Sequence, residues 1–395
     1  MTGKFGIVTI KHVAAISEVE EGCPVTTIQR VETIPVRIPL KQLFEGSYYR
    51  MRNRCTIITK LYTDDGVVGT AYNGDTDDEQ DLILKIIADE IVPRVVGLDL
   101  LSPERIWEAM LPVTFDQLRD RGLAMQALAC VDTAVWDGIG QFLGQPLWRL
   151  WGGYRSSIEM IGIGGYYGSS ESGIAQDMEF FAHEQGMVGM KFKIGGKPPA
   201  EDVQRLVHAK TFVDDDFVFV VDANQGYTVA EALAFVRALP DDIRLRWFEE
   251  PTRWHSDLTG LRDVRFLGGV PIAAGQSETS RVGMRTMITS GAIDVCNFDA
   301  SWGGGPSEWR RIAALAQMYD VQLGHHEEGQ VSAHLLASVP NGTYVEAFTP
   351  QRDPIYWNLV TNRKPLEHGR LSLPQTPGLG WDLDWDYVDR YRTDR

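Results

Sequence analysis

The chain is poor in the features that mark disulfide-rich, zinc-binding or membrane proteins. It has 395 residues but four cysteines, which are scattered without a Cys-x-x-Cys pair. This argues against a zinc knuckle and against a dense disulfide framework. No stretch reaches 18 uninterrupted apolar residues, and the N-terminus lacks the charged-then-apolar pattern of a signal peptide. We therefore expect a cytoplasmic protein with no membrane partner.

Basic side chains are also in the minority. The 38 lysines and arginines are outnumbered by 54 aspartates and glutamates, so the formal charge is −16. Binding to a nucleic-acid backbone needs clustered lysine and arginine, so no nucleic-acid partner is expected. The acidity does not exclude an anionic small molecule, because a metal ion or a few lysines can reverse the potential inside one cleft.

The composition is otherwise that of an ordinary folded protein, with 44% apolar and 23% charged residues. The length suits two domains or one large domain. Residues 1–26 are unpatterned, and we interpret them as an extension. Residues 27–70 show the partial alternation of β-strands, with an Asp-Asp-Gly turn at 64–66. Helical spacing follows over 78–94 and after Ser102, so this part predicts an α+β unit.

The second half repeats a short apolar run, a loop and an amphipathic helix. After a long predicted helix over 123–142, we expect eight strands, at 158–164, 188–193, 217–221, 244–248, 271–274, 293–297, 320–324 and 343–346. Strand–helix alternation over this length predicts a parallel (β/α)8-type barrel of the α/β class. The competing fold is a doubly wound open sheet. It usually opens with a glycine fingerprint, which neither glycine-rich candidate here supplies.

Ionisable or amide side chains stand at nearly every predicted strand end. In a barrel these ends share one rim, where active sites lie. A single polar strand end would indicate only contact with water, but seven in succession favour a site. They comprise Lys191 and Lys193, Asp222 and Asn224, Glu249 and Glu250, Gln276 and Glu278, Asp299, His325 and His326, and Glu346.

Lys191 and Lys193 are two residues apart in an otherwise apolar run, so both ammonium groups are expected to enter the same space. The alternative is a solvent-facing pair. Two adjacent cations lower each other's pKa, and a buried lysine with a depressed pKa can act as a general base.

Two carboxylates on consecutive strand ends, Asp222 and Glu249, form a candidate site for a divalent cation, and their hard oxygen donors suit Mg²⁺. The alternative is that Asp222 caps the following helix and that Glu250 and Pro251 form a turn. A third ligand from the next strand could be Gln276, at the equivalent strand end, or Glu278, two residues later.

Asp299 and His326 follow the next two predicted strands. A carboxylate beside an imidazole sets its tautomer and raises its basicity, which suits a general acid or base. The segment His325–Gln330 does not match the His-Glu-x-x-His zinc pattern. Glu346, on the last strand, is either part of the site or a solvent contact.

The ordered set of these residues resembles the enolase superfamily, specifically its mandelate racemase subgroup. The resemblance extends over most of the chain. The matching segments are KFKIGG, VVDANQGY, WFEEPT, PIAAGQSE, FDASWGGGPSEW and HHEEGQVSAHLLASVPNGTYVE. It implies a C-terminal barrel, an N-terminal α+β capping domain whose loops close over the site, and a final segment that returns to the capping domain. The expected boundaries are 1–130, 131–364 and 365–395.

The resemblance also implies a role for each residue. Asp222 and Glu249 would bind Mg²⁺, with Gln276 or Glu278 as the third ligand, since the family usually has a carboxylate at the position of Gln276. Lys193 would be the base on one face of a carboxylate substrate, with Lys191 beside it. His326, paired with Asp299, would be the acid or base on the opposite face. Glu346 would donate a hydrogen bond to the substrate carboxylate. Asn224, Tyr166 and loop 44–50 are candidate substrate contacts.

The reaction implied by the resemblance is removal of a proton next to a carboxylate. We favour dehydration of a sugar acid (an aldonate, an aldarate or a tartrate-like diacid) to a 2-keto-3-deoxy acid. A racemase, epimerase or cycloisomerase is the main alternative. A barrel hydrolase commonly needs a His-x-His pair on its first strand, and 158–164 contains no histidine. A non-catalytic binder is the remaining class. The family also implies an even-numbered homo-oligomer, from dimer to octamer.

Overall fold

The computed structural model describes residues 25–74, 79–255 and 257–395. Most of the interpreted extension, 1–26, and the expected helix start at residue 78 lie outside these ranges. The first element is a three-stranded antiparallel sheet in the order β1 (Ile28–Glu45), β2 (Arg50–Thr63) and β3 (Val68–Gly74). The turn expected at 64–66 joins β2 to β3, and Gly66 takes a φ of 89° there, a conformation that glycine adopts without strain.

Helices follow the sheet, as the spacing of apolar residues predicts. The longest packs against β3 and exceeds the predicted 123–142 by two residues at its start and one at its end. It begins where the Asp120 carboxylate accepts a hydrogen bond from the Gly122 N–H, and it ends at Gly144, which has a φ of 64°. The elements are α1 (Gln80–Ile86), a π-helical turn (Ile87–Ile91), α2 (Val92–Val95), α3 (Pro103–Met110), a 3₁₀ turn (Leu111–Phe115), α4 (Arg121–Leu143) and α5 (Leu147–Leu150).

Eight parallel strands form the second layer, and each coincides with one of the eight predicted strands. The sixth and seventh strands are two residues long against five predicted, and the eighth ends two residues later than predicted. They are β4 (Ser157–Gly164), β5 (Gly189–Lys193), β6 (Val218–Asp222), β7 (Leu245–Glu249), β8 (Ile272–Ala274), β9 (Val295–Cys296), β10 (Gln322–Leu323) and β11 (Tyr344–Phe348).

The strand order shows that the sheet closes into a barrel. The strands run β10-β9-β8-β7-β6-β5-β4-β11 with parallel pairing throughout. A parallel bridge between Leu323 and Gly342 then joins β10 to the residues leading into β11. An open doubly wound sheet would leave two free edges, so the barrel prediction is confirmed and its competitor is wrong.

Helices connect these strands and cover the outside of the barrel. The segment before α8 shows why a helix starts there: the Thr228 hydroxyl and the Glu231 side chain form a reciprocal capping box. The helices are α6 (Glu171–Met178), continued by a π-helical turn (Glu179–Glu184), α7 (Pro199–Lys210), α8 (Val229–Ala238), α9 (Thr259–Gly268), α10 (Arg281–Thr289), α11 (Gly305–Met318), α12 (Gly329–Ser338) and α13 (Pro354–Asn358).

The inside of the barrel is apolar in one layer and polar in the next. The apolar cluster contains Ile161, Val220, Trp247, Ala273 and Val295. Because side chains on one face of a strand recur every second residue, the residue two positions after Val220 is Asp222, after Trp247 is Glu249, and after Val295 is Asn297. The C-terminal end of the barrel is therefore lined by polar groups above an apolar floor.

The last segment of the chain contacts both the barrel and the N-terminal sheet. Strand β12 (Arg370–Ser372) pairs antiparallel with β4, and α14 (Trp385–Tyr391) packs against β1, where Val388 joins an apolar cluster with Val36 and Ile38. The three expected domain boundaries stay a prediction. Among the helices of the described part of the chain, none is long and apolar enough to span a bilayer.

Candidate active site

A cavity of about 880 Å³ opens at the C-terminal ends of the barrel strands. The loop between β1 and β2, residues 46–49, lies over it and is tied to the barrel rim. The Ser47 hydroxyl donates to the Ala223 carbonyl (2.8 Å) and lies 2.8 Å from the Tyr167 hydroxyl. The cavity wall brings together Lys193, Asn224, Gln276, His326 and, from the loop, Tyr49.

The two lysines of β5 both point into the barrel and each forms a buried ion pair. Lys193 Nζ lies 2.6 Å from Asp222 Oδ2 and donates to Asn224 Oδ1 at 3.1 Å. Lys191 Nζ lies 3.0 Å from Glu249 Oε1 and 2.7 Å from Glu346 Oε1. The alternative of a solvent-facing lysine pair is therefore wrong.

Lys193 lowers the pKa of Lys191, as expected for two adjacent cations, but the expected net depression of the lysine pKa values is not found. Burial lowers the pKa of Lys193, but the charge and hydrogen bond of Asp222, together with Tyr49 and Tyr166, raise that pKa well above its usual value. Burial likewise lowers the pKa of Lys191, and Glu249 and Glu346 raise it overall. The reason is that each ammonium is closer to a carboxylate than the sequence spacing reveals.

Asp222 and Glu249 stand side by side, because β6 and β7 pair with these two residues in register. Glu249 Oε2 accepts from the Trp247 indole at 3.2 Å, and Oε1 accepts from Asn297 Nδ2 at 2.9 Å. Asp222 Oδ1 accepts from the backbone N–H of Asn224 at 2.8 Å. These contacts orient two carboxylates at one point of the rim, so neither serves as a helix cap.

Gln276 and Glu278 lie in different surroundings. Gln276 lines the cavity, and its Oε1 is buried with no hydrogen-bond partner among the described residues. Glu278 Oε1 instead accepts from the N–H groups of Thr279 and Ser280, just before α10. The structure thus brings an amide oxygen, and not the Glu278 carboxylate, to the other site residues.

This donor set fits a hard divalent cation. Over residues 25–74, 79–255 and 257–395, no three His, Cys, Asp or Glu side chains are arranged to hold a metal ion. Two carboxylates and the unpartnered amide oxygen of Gln276 nevertheless supply three oxygen donors, and oxygen is the ligand that Mg²⁺ prefers.

His326 and Asp299 form the dyad expected from the sequence. His326 Nδ1 donates to Asp299 Oδ2 at 3.0 Å. The other ring nitrogen, Nε2, lies 3.2 Å from Glu327 Oε1, and the Trp302 ring lies beside the imidazole at a centroid distance of 5.3 Å. Burial lowers the pKa of His326, but Glu327 and Asp299 outweigh it and raise the value to about 10.

Glu346 belongs to the site, although not in the way the resemblance implies. Its Oε1 accepts from Lys191, and its Oε2 accepts from the Glu327 N–H at 3.1 Å. Both oxygens therefore act as acceptors in this structure, whereas the resemblance expects a hydrogen-bond donor.

The two candidate substrate contacts are placed differently. Asn224 lines the cavity beside Lys193. Tyr166 lines a neighbouring cavity of about 820 Å³, where its ring packs edge-on against Phe44 at 5.3 Å. Its hydroxyl accepts from Arg352 Nε at 3.1 Å. Loop 44–50 contributes to both cavities.

Strained backbone is concentrated at this rim. Seven non-glycine residues of the described chain have positive φ, and five of them follow barrel strands at the site: Asn224, Gln225, Glu250, Glu327 and Glu328. Such conformations cost about 1–3 kcal/mol each and persist where the surrounding structure requires them, often at active sites. Here they aim polar side chains into and around the cavity.

The sequence did not single out three charged residues that complete the site. Arg54, on β2, reaches the barrel and pairs with Glu327 Oε2 at 3.2 Å and with Glu328 Oε1 at 2.7 Å. Arg352, after β11, lies with its Nη2 at 3.9 Å from Glu327 Oε1. The only signal for Glu327 was its position directly after His326, and nothing in the pattern pointed to the arginines.

Taken together, a closed eight-stranded barrel, an antiparallel sheet whose loop and Arg54 reach the barrel mouth, and paired lysine and histidine sites define an α/β-barrel enzyme of the enolase type. Residues 174–387 match the family model of the enolase C-terminal domain, and residues 26–152 match that of the mandelate racemase/muconate lactonizing enzyme N-terminal domain. The chain therefore belongs to the mandelate racemase/muconate lactonizing enzyme family of the enolase superfamily, as the sequence motifs predict.

Known relatives cover nearly the whole chain. A mandelate racemase/muconate lactonizing enzyme from a marine actinobacterium, solved in complex with magnesium, is 50% identical. It has a TM-score of 0.88 and matches 93% of this chain and 100% of its own. Arabinonate dehydratase of Saccharolobus solfataricus is 30% identical over 85% of this chain and 90% of its own length. The 3,6-anhydro-α-L-galactonate cycloisomerase of Streptomyces coelicolor is 30% identical over 92% and 99%.

Proposed function

We propose that this protein is a Mg²⁺-dependent dehydratase that converts a sugar acid to a 2-keto-3-deoxy acid. The observation that carries the proposal is the placement of Lys193 and His326 on one cavity. Lys193 ends β5 and His326 follows β10, and these strands are three apart one way around the ring and five the other way. The two groups thus face the cavity from nearly opposite sides, which suits removal of a proton from one carbon and of a hydroxyl from the opposite face of the next.

The residues that would hold Mg²⁺ are Asp222, Glu249 and Gln276, whose oxygen atoms suit this ion. The relative solved with magnesium supports the choice of ion. When bound, the ion supplies positive charge beside the substrate carboxylate, where negative charge develops as the α-proton leaves.

Lys193 is the candidate base for the α-proton, because it is the cationic side chain of β5 that reaches the cavity wall. Lys191 lies deeper, fully buried between Glu249 and Glu346. There it adds a fixed positive charge below the substrate carboxylate. A preformed charge of this kind stabilises the developing negative charge without reorganisation.

His326 is the candidate acid for the hydroxyl on the β carbon. Asp299 holds its Nδ1–H at 3.0 Å and so leaves Nε2 as the nitrogen available for the leaving group. Asn224 and Tyr49 add polar groups to the same wall, which suits a polyhydroxylated substrate. The dehydratase among the relatives agrees with this reaction class.

A second candidate reaction is cycloisomerisation or epimerisation through the same α-proton removal. The observation in its favour is the cycloisomerase relative, which matches 92% of this chain at the same 30% identity as the dehydratase. Here the proton would return from the opposite arm, or the ring would open or close, and no water would be lost.

The two reactions are separated by proton NMR in D₂O with purified protein, MgCl₂ and a panel of aldonates, aldarates and tartrates. Dehydration is expected to give a 2-keto acid, detected in parallel as its semicarbazone, and His326→Asn is expected to stop it. Exchange of the α-proton without a new ketone would favour epimerisation. Magnesium binding without turnover or exchange on the whole panel would overturn the proposal and leave a binding protein.

We also infer, from the sequence and family resemblance alone, a cytoplasmic location and an even-numbered homo-oligomer. Size-exclusion chromatography with light scattering would test the second inference, and a monomer would overturn it.

A further inference from the structure

Both ring nitrogens of His326 face a carboxylate. Nδ1 lies 3.0 Å from Asp299 Oδ2, and Nε2 lies 3.2 Å from Glu327 Oε1. The Nδ1 contact is a hydrogen bond in which the carboxylate accepts, and the Nε2 contact is at ion-pair distance, where a positively charged ring is favoured. Two carboxylates placed at the two ring nitrogens therefore stabilise the doubly protonated, positively charged imidazolium.

Glu327 is ionised in this arrangement, so it is not itself an acid. Burial raises its pKa, but His326 and Arg54 outweigh this and hold the pKa well below the usual range. Its carboxylate lies between the His326 imidazole and the Arg54 guanidinium, whose Nη1 is 3.2 Å from Glu327 Oε2. Its backbone is held at a φ of 49°, and its N–H donates to Glu346.

The other charged groups around the imidazole do not change this conclusion. His325 is neutral, because its Nε2 accepts from the Ala300 N–H at 3.0 Å and burial lowers its pKa. Glu346, on β11, is paired with Lys191. Glu328 contacts Arg54 and Gln330 instead of the imidazole. From the remaining side, Trp302 offers an uncharged ring.

We propose that Glu327 is a positioning residue that keeps His326 as an imidazolium in the resting site and yields Nε2 to the substrate, so that His326 enters the reaction as the proton donor. The proposal rests on the function proposed above. Two guanidinium groups are placed to receive the displaced carboxylate: Arg54, and Arg352, whose Nη1 is buried without a hydrogen-bond partner among the described residues.

The proton balance of this step closes. Once the Lys193 ammonium, which pairs with Asp222 in the resting site, has released its proton to solvent, the α-proton passes to the neutral amine, and the β C–O bond breaks with its electron pair on oxygen. The His326 Nε2 proton then completes a molecule of water, leaving an enol and a neutral imidazole. As the enol becomes the ketone, the former β carbon takes up the proton from Lys193 and the enol hydroxyl returns one to His326. One substrate thus gives one keto acid and one water.

The arrangement also bears on the type of reaction. A two-base racemase needs His326 to accept a proton from substrate in one direction, so a resting imidazolium opposes that direction. Protonation of a leaving hydroxyl needs the imidazolium from the start. Glu327 therefore favours elimination over inversion at this site.

The direct test is the titration of the His326 ring by NMR in ¹³C,¹⁵N-histidine-labelled, metal-free protein, with His326→Asn used to assign the signal. In the wild type we expect His326 to stay protonated well above neutral pH. In Glu327→Gln, which keeps the shape but removes the charge, we expect the midpoint to fall by about 2 units or more, towards the ordinary histidine value of about 6.5.

Two matched variants control this titration. Glu327→Asp keeps the negative charge, so the titration midpoint of His326 should stay well above the ordinary histidine value. Glu328→Gln removes the neighbouring carboxylate, which lies on Arg54 and not on the imidazole, and should move the His326 midpoint by less than about 0.5 unit. Melting temperatures of all variants show whether the fold is retained. Glu327→Gln leaves Arg54 paired with Glu328 and Asp353.

Once a substrate is known, the same variants are compared by pH–rate profile. Loss of activity at high pH should begin earlier in Glu327→Gln, with about 100-fold lower kcat/KM than wild type near pH 9 if the midpoint approaches the ordinary value. A wild-type His326 that titrates near pH 6–7, or a midpoint that Glu327→Gln does not move, would overturn the proposal. If the titration behaves as expected but no panel acid is dehydrated, the proposed function fails while the protonation state stands.

Discussion

Lys193 Nζ lies 2.6 Å from Asp222 Oδ2, and both side chains are buried at the barrel rim. The proposed base and a proposed metal ligand therefore share one ion pair. A divalent cation at Asp222 and the ammonium of Lys193 compete for the same carboxylate. This relationship links metal binding, stability and the availability of the base.

The first prediction concerns Lys193→Met. Removing one partner of a buried pair leaves an uncompensated charge, which typically costs about 3–5 kcal/mol. We expect that loss in the free energy of unfolding when EDTA is present, and substantial recovery when MgCl₂ is saturating, because the metal then compensates Asp222. Turnover should fall by about 10²–10⁴-fold in either case. Urea denaturation with each addition, together with an activity assay, measures both effects.

A surface lysine provides the control for that experiment. Lys197 pairs with Glu201 at 2.9 Å on the exposed start of α7. Exposed pairs contribute about 0–1 kcal/mol, so Lys197→Met should change stability little, with or without metal. Equal stability losses for Lys193→Met in EDTA and in MgCl₂ would show that no metal ion compensates Asp222.

The second prediction separates Gln276 from Glu278 as the third metal ligand. Gln276→Ala should weaken Mg²⁺ binding by about tenfold, equivalent to about 1.4 kcal/mol, because it removes an unpartnered oxygen donor from the cavity. Gln276→Glu should strengthen binding, since a carboxylate adds negative charge. Isothermal titration of the metal-free protein with MgCl₂ measures the affinity.

Glu278→Ala is the matched comparison. Its carboxylate accepts from the Thr279 and Ser280 N–H groups, so its loss should cost about 1 kcal/mol of stability and leave the Mg²⁺ affinity unchanged. The opposite pattern, a weaker affinity in Glu278→Ala alone, would mean that the loop rearranges to bring this carboxylate to the metal.

The third prediction is a pH dependence of stability that arises at a buried aspartate outside the cavity lining. Asp132, inside α4, accepts from the backbone N–H of Ser307 at 2.8 Å and from its hydroxyl at 2.7 Å. Burial raises the pKa of Asp132 to about 7, against the lowering effect of those hydrogen bonds. The folded protein therefore keeps a proton that the unfolded chain releases near pH 4.

The sign of this contribution follows from the raised pKa. The proton retained by Asp132 stabilises the folded state fully below about pH 4. This stabilisation is lost progressively up to about pH 7, and the total loss is up to about 4 kcal/mol. Asp132→Asn should remove this part of the pH dependence of the free energy of unfolding. Ser307→Ala removes a hydrogen bond that lowers the pKa of Asp132, so the loss of stability should extend to higher pH. Urea denaturation between pH 5 and 8 measures the slope. An unchanged slope in Asp132→Asn would show that another group is responsible.

The fold was largely predictable because its pattern is local. Each predicted barrel strand, such as 217–221 for Val218–Asp222, is a short apolar run between loops, and its period and length are visible in the sequence. Strand ends at a barrel rim share one side of the molecule. Asp222, Glu249 and His326 could therefore be nominated without coordinates.

The contacts of those residues were less predictable. The pKa of Lys193 was expected to fall because Lys191 is its neighbour in sequence, but the pKa rises because Asp222, 29 residues away, is its neighbour in space. Likewise Glu278 was an equal candidate to Gln276 until the position of α10 placed its carboxylate on backbone N–H groups.

By itself, the sequence determined the barrel, the number and approximate positions of its strands, the family and the set of polar residues at the strand ends, since these depend on periodicity and on residue type. The tertiary structure alone decided how those residues pair. Lys193 pairs with Asp222, and His326 pairs with both Asp299 and Glu327. Arg54, on the N-terminal sheet, pairs with Glu327 at the barrel rim. Charge interactions depend on distances of a few ångströms between segments far apart in the chain. Such distances exist only once the barrel has closed and the sheet has packed against it.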